Sequence, residues 1–190
     1  MAHDFMSQFI KRATNAEVRK VAEEGRQWLT TAANKLDKIK DKVLADRPRD
    51  LSIGSMYLFI YDAKLKMTLK YYDLHPLIFP ISVTRDRFMG LNFHYLPMGA
   101  RIKLMDALYD FASKEKDERD ISLNISYQLL KGIAKYRYFK PTVHLYLNNH
   151  VRSRFVWIPA TQWKQMLFLP LQSFRGTHPN AVYTDSVNKY

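Results

Sequence analysis

The stretch from Gly54 to Pro97, GSMYLFIYDAKLKMTLKYYDLHPLIFPISVTRDRFMGLNFHYLP, constrains the fold more than any other part of the chain. Aromatic and β-branched residues are densest there, and turn residues interrupt them at intervals, so it predicts a hairpin-rich β unit. Tyr57, Phe59 and Tyr61 alternate with Met56, Leu58 and Ile60. A strand apolar on both faces requires cover on both. Asp62-Ala63-Lys64 supplies a polar turn, Leu74 to Val83 a second apolar run, and Phe88 to Tyr95 a third. Pro76 and Pro80 fall inside the second run. Proline lacks a backbone donor, so that run is expected to bend or to lie partly at a sheet edge.

Helical spacing brackets this unit. From Asp4 to Asp46, Val18, Val21, Gly25, Trp28, Ala32, Leu36, Ile39 and Val43 step by three or four, with charges on the other faces. Early Glu17, Glu23 and Glu24 and late Lys38, Lys40 and Lys42 suit the helix dipole. One thin apolar stripe calls for a docking surface, which makes Val18, Val21, Trp28, Leu36 and Ile39 candidate partner-binding residues. Arg47-Pro48 ends the segment, since the residue before a proline leaves the α region. Past Pro97, Ile102, Met105, Leu108, Tyr109 and Ala112 share one face of a second helix, and Lys114 to Asp120 is a solvated loop. Ile121 to Phe139 reads as a third helix, and Pro141 opens a fourth through Val143, Leu145 and Leu147. Arg154 to Pro159 and Met166 to Leu171 return to strand around a helical turn at Gln162 to Gln165, and Phe174 to Tyr190 reads as loop.

Three early and two late strands predict an α+β fold: a small five-stranded Src-homology-3-like β barrel with inserted helices and a long N-terminal amphipathic helix. An open α+β sheet with helices on one face is the alternative, and either arrangement is expected to bury Trp157 and Phe168. The expected organisation is an arm over residues 1–46, a barrel domain over 47–183 with a helical insertion at about 99–150, and a tail over 184–190.

Charge is informative through its placement. The chain of 190 residues carries 30 Lys and Arg against 18 Asp and Glu, a net charge of +12. Residues 1–46 and 47–120 each contribute +2, whereas from Ile121 to Tyr190 nine basic residues face the single acid Asp185. A basic excess confined to one region marks a surface for a polyanion or an acidic protein, with charge kept for solubility as the alternative. The absence of cysteine removes disulfide and thiolate chemistry. No apolar h-region opens the chain and no apolar run approaches a membrane span, so neither export nor a membrane partner is expected.

No catalytic constellation emerges. His3, His75, His94, His144, His150 and His178 form no i, i+4 ligand pair, so neither metal nor cofactor is expected. Asp106 and Asp110 share a helical face, which reads as solvated, and Asp62, Asp73 and Asp86 stand in inter-strand loops where turn chemistry accounts for them. The six glycines stand singly, without a phosphate-binding loop, and no serine occupies a nucleophile elbow. What remains is basic and aromatic: Lys131, Lys135, Arg137, Tyr138 and Lys140, then Arg152 and Arg154 ahead of Phe155 and Trp157. Such residues grip a phosphate backbone without reading sequence, while tyrosines stack on bases of a frayed end. The same cations would equally serve as rim contacts to an acidic protein neighbour.

GSMYLFIYDAK, YYDLHPLIFPI, FMGLNFHYLP with Arg101 following, SRFVWIP and FLPLQSF resemble small virion proteins of T-even-type contractile-tailed phages, specifically the DNA end protector family of head completion. The resemblance spans about Gly54 to Tyr183 and departs from the family pattern at Ala63 and Met98, where proline is usual. It implies a structural, non-enzymatic virion protein assembled in the host cytoplasm at the head–tail region. Its expected partners are other virion proteins and double-stranded DNA. A tail-tube or baseplate-hub component contacting only protein is the alternative.

Overall fold

Alternation sets the sheet. The computed structural model describes Lys20, Glu23 and residues 51–53, 55–112, 137–163, 166 and 171–188. In strand β1 (Met56–Leu58) all three side chains are buried, Met56 and Leu58 in one apolar cluster and Tyr57 in another. The chain continues through β2 (Tyr72–Asp73), β3 (Leu77–Val83), β4 (Arg87–Asn92), helix α1 (Met98–Ala112), β5 (Val143–Leu147), β6 (Val156–Ile158), β7 (Phe174–Arg175) and helix α2 (Pro179–Asn188). Five strands form an antiparallel sheet in the order β5-β4-β3-β1-β6, and β2 pairs with β7 separately. No helix of the described residues is long and apolar enough to cross a membrane.

Both sheet faces are covered. On one, Ile102, Leu104, Met105 and Leu108 of α1 pack with Phe79, Leu91, Phe139 and Trp163. On the other, aromatic rings meet edge to face or stacked: Phe59 lies 5.4 Å from Tyr146 and 5.1 Å from Phe155, and Phe88 stacks on Tyr146 at 5.2 Å. Edge-to-face and offset contacts are the favoured geometries of the aromatic quadrupole, and each adds about 0.5–1.5 kcal/mol beyond area burial. Pro80 sits inside β3 where the register slips between Pro80 and Ser82, so its missing donor falls at a bulge. The strand is bent, and it runs through the middle of the sheet rather than along its edge.

Several expectations need correction. The barrel does not close: β5 and β6 end the sheet. The 3-10 turn Asn148–His150 joins their region to β1, with a bridge from Tyr61 to Val151 and the Arg152 N–H donating to the Ile60 carbonyl at 2.8 Å. Closure needs a continuous staggered ladder, and strands of three residues such as β1 and β6 are too short to carry one round. Val143 to Leu147 is strand, not helix, because Val143, Leu145 and Leu147 against His144 and Tyr146 have period two and lie along β4. The segment after Phe174 is not loop but β7 and α2, with Pro179 at the first helical position and Val182 and Ser186, four apart, turned inward. Met166, expected in a strand, is helical and buried. Trp157 is 58% exposed, because β6 is an edge strand whose one sheet neighbour is β1. Asp106, assigned to a solvated face, is buried. The third helix from Ile121, the loop before it, Phe168, and the stripe residues Val18, Val21, Trp28, Leu36 and Ile39 lie outside the described residues.

Gly176 fastens β7 to the strand it pairs with. Its φ is +90°, and a Cβ built there would stand 2.6 Å from the Lys70 carbonyl oxygen. Gly176→Ala is therefore expected to cost about 1–3 kcal/mol through backbone strain, with more from the clash. Thermal unfolding measures this, and an unchanged midpoint would contradict the close approach of β7 to residue 70.

Candidate nucleic-acid interface

The long connection between β1 and β3 folds out over the edge strand β5 and leaves a groove of about 570 Å³ between them. Its walls carry Tyr61, Tyr71, Tyr72, Tyr95 and Tyr146, its rim Lys64, Lys70 and Lys140, and its apolar contacts Leu65, Leu69 and Leu145. The combination pairs cations for phosphate with flat rings for bases.

A buried carboxylate holds the groove's floor. Asp73, at the end of β2, is 3% exposed. Its Oδ1 accepts from the N–H of His75 at 3.1 Å and of Ser173 at 3.3 Å, and its Oδ2 accepts from Asn92 Nδ2 at 3.1 Å. His94 Nδ1 lies 2.7 Å from the same Oδ2. Asn92 also donates to the Tyr146 hydroxyl at 3.1 Å, which ties the hub to the groove wall. Burial pushes the His94 imidazole below its ordinary value despite the carboxylate beside it, so the ring is neutral and donates through Nδ1–H. Its Nε2 is buried without a hydrogen-bond partner among the described residues. Burial works to raise the Asp73 carboxyl, but His94, Asn92 and the His75 N–H outweigh it and hold the group below its ordinary value.

A second buried ion locks the neighbouring elements. Arg101, at the start of α1 and 3% exposed, donates Nε to the Leu96 carbonyl at 2.7 Å and Nη2 to the Tyr183 hydroxyl of α2 at 2.8 Å. Near the rim, Lys70 meets Asp185 of α2 at 2.6 Å, while burial and then Asp185 push the Tyr71 phenol up to about 12. Tyr71 thus stays a neutral donor at the groove's mouth.

The structure brings together only part of the basic constellation read from sequence. Lys140 is exposed and lines the groove. Arg152 reaches Asp62 at 3.9 Å, and Asp62 also holds Lys66 at 3.0 Å, so Arg152 stands at the base of the same connection. Arg154 is exposed on the approach to β6. Arg137 and Tyr138 fall in the 3-10 turn Arg137–Thr142, with side chains outside the described residues, as are Lys131 and Lys135 altogether. Sequence reasoning missed Lys64, Lys66 and Lys70, because a charge count by thirds averaged them against nearby Asp62, Asp73 and Asp86. Those three carboxylates do not act as a set: Asp62 binds Lys66, Asp73 is the buried hub, and the Asp86 carbonyl accepts from the Asn148 N–H at 3.0 Å. Among the described residues no group of three or more His, Asp or Glu is placed to hold a metal ion.

A family model described as the phage T4 terminal DNA protecting protein matches residues 1–185. No curated protein and no solved structure matches the chain. The chain belongs to the terminal DNA protecting family, which is the family its motifs resemble, and the match gives no support to the tail-tube or baseplate alternative.

The hub makes stability depend on pH with a definite sign. Both His94 and Asp73 have depressed folded-state values, so each contributes stability that is present above its unfolded value and lost as pH falls. His75, lowered by its own burial, acts in the same direction. The midpoint of thermal unfolding should be level above neutrality, decline from about pH 6.5 as the unfolded histidines take up protons first, and decline further below about pH 4. His94→Gln should shrink the first decline without abolishing it, since His75 remains. An unaltered slope in that variant would exclude a buried neutral His94.

Proposed function

We infer, from membership of the terminal DNA protecting family together with the basic and aromatic groove, that this chain is a virion protein of a contractile-tailed phage that binds the ends of the packaged DNA at head completion. The groove carries the inference. Cations on its rim neutralise phosphates and release counterions, and half-buried tyrosine rings on its walls offer stacking faces to terminal bases. The family's description is protective rather than catalytic, and bound protein at a DNA terminus denies an exonuclease the end it requires. The order β5-β4-β3-β1-β6 with a 3-10 turn between β5 and β6 supports an opened Src-homology-3-like barrel as the scaffold.

Residues 1–46 are proposed as the arm that meets other virion proteins, on the strength of the single apolar stripe through Val18, Val21, Trp28, Leu36 and Ile39. Truncation to residue 47 should leave a cooperative thermal transition and abolish incorporation into particles. A truncated chain that does not fold would make the arm part of the core instead.

Replacing Lys64, Lys70, Lys140, Arg152 and Arg154 by Gln should leave the fold intact, because exposed charges contribute little to stability. The slope of log affinity against log salt should fall by roughly 3 to 4, at about 0.9 per lost phosphate contact. Fluorescence polarisation with a blunt duplex, an overhang and a covalently closed circle at two salt concentrations reads both the slope and the preference for ends. Absence of DNA binding by the unaltered protein near 0.15 M salt, about the physiological value, would move the cations to a protein interface.

A further inference from the structure

Between Lys64 and Lys70 the sequence reads KLKMTLK, and the structure turns its three large apolar side chains outward. Met67 is 90% exposed, Leu65 59% and Leu69 44%. The turn is internally bonded: the Lys66 N–H donates to the Ala63 carbonyl at 3.2 Å, and the N–H groups of Thr68 and Leu69 donate to the Leu65 carbonyl at 2.9 and 3.0 Å. Its two ends are fixed as well, at Asp62, whose N–H donates to the His150 carbonyl at 3.0 Å, and at β2 in its ladder with β7. Leu145 of β5, 54% exposed, lines the same groove as Leu65 and Leu69, so the apolar surface extends from the groove wall to the turn's tip. A grouped apolar patch of this kind marks an interaction surface, whereas single exposed hydrophobics do not.

What surrounds the patch identifies its occupant. Lys64, Lys66 and Lys70 flank it within the turn, and Lys140 and Arg152 stand on the neighbouring segments. Lys66 and Lys70 hold Asp62 and Asp185 in ion pairs that are largely solvent-exposed on the lysine side, and such pairs exchange readily for phosphate. An apolar centre within a cationic border is the complement of one particular DNA surface. The end of a duplex presents the flat apolar face of its last base pair, bordered by the phosphates of both strands. The side of a duplex presents phosphate and groove edges without that face.

We propose that the 64–70 turn is an apolar wedge that stacks Met67 and Leu65 on the terminal base pair of duplex DNA while the flanking lysines hold its outermost phosphates. The proposal rests on the DNA-end reading given above and supplies what distinguishes an end from the interior of a duplex. Methionine and leucine are among the side chains that proteins insert against base steps.

Two blunt duplexes, one with 2-aminopurine in the last base pair and one with it at the centre, test the contact on the unaltered protein. Binding should change the terminal fluorophore and leave the central one unmoved. The double variant Leu65→Ser, Met67→Ser should bind the blunt duplex about 5- to 150-fold more weakly, the range of one stacking contact. It should bind the closed circle as before, with an unchanged salt slope and thermal midpoint. An unaltered protein that prefers ends without moving the terminal fluorophore, or a double variant that keeps its preference for ends, overturns the wedge and leaves end binding standing. Equal binding of the unaltered protein to linear duplex and circle overturns the end reading itself. Loss in the double variant of binding to vesicles containing phosphatidylserine, with DNA binding intact, overturns the wedge by assigning the turn to a lipid surface.

Discussion

The buried carboxylate of Asp73 is the constraint on which the groove depends. A charge removed from water is tolerated only where donors surround it, and Asp73 gathers four from three separate stretches: His75 near β2, Asn92 and His94 at the end of β4, and Ser173 ahead of β7. Each of those stretches positions a wall or a support of the groove. Breaking a buried ionic arrangement of this kind costs about 3–5 kcal/mol, so the hub fixes one relative placement of the β1–β3 connection, β4 and the C-terminal segment. Function follows from that rigidity, since the tyrosines on the groove walls can serve as stacking faces only if they are held in place before a ligand arrives.

The division of labour between the two sheet faces has the same logic. The face under α1 is aliphatic and sulfur-bearing, with Met56, Leu58, Leu91 and Met105 packed without polar atoms. The opposite face is aromatic, and two of its members, Tyr61 and Tyr146, place hydroxyls where they satisfy neighbours: Tyr61 accepts from the Leu147 N–H at 3.2 Å, and Tyr146 from Asn92. These rings therefore belong at once to the core and to the groove. Burial raises both phenols, so they remain neutral and keep their hydrogen-bonding roles throughout the physiological range.

What the sequence made legible was whatever rested on period. The double-faced β1, the bulged strand with Pro80, β4 and the Ile102–Met105–Leu108 face of α1 all followed from spacing. Local pattern failed where two periods coincide or where tertiary contact decides. Val143, Leu145 and Leu147 have strand period, yet Pro141 just before them is a helix-start signal, and the available edge of β4 settles the matter. The C-terminal helix has a weak apolar pattern, with Val182 and Ser186 as its buried pair. The role of Asp73 was hidden because its partners lie 2, 19, 21 and 100 residues away, a set no window along the chain displays. The lysines of the 64–70 turn were in plain sight but carried no weight until the fold set them beside Lys140.

One topological feature bears on how the chain reaches this arrangement. Strands β4 and β5 form an antiparallel pair like the arms of a hairpin, but 50 residues, 93 through 142, separate them. Loop-closure entropy grows only with the logarithm of length, so replacing a two-residue turn by this insertion costs roughly 3 kcal/mol, at about 0.6 per doubling. That is a modest equilibrium cost and a larger kinetic one, since β5 cannot add to the sheet until the intervening chain has found its own place. The groove, whose one wall is β5, should therefore be among the last parts of the molecule to form, and a nascent chain would acquire its core before it acquires its means of engaging a ligand.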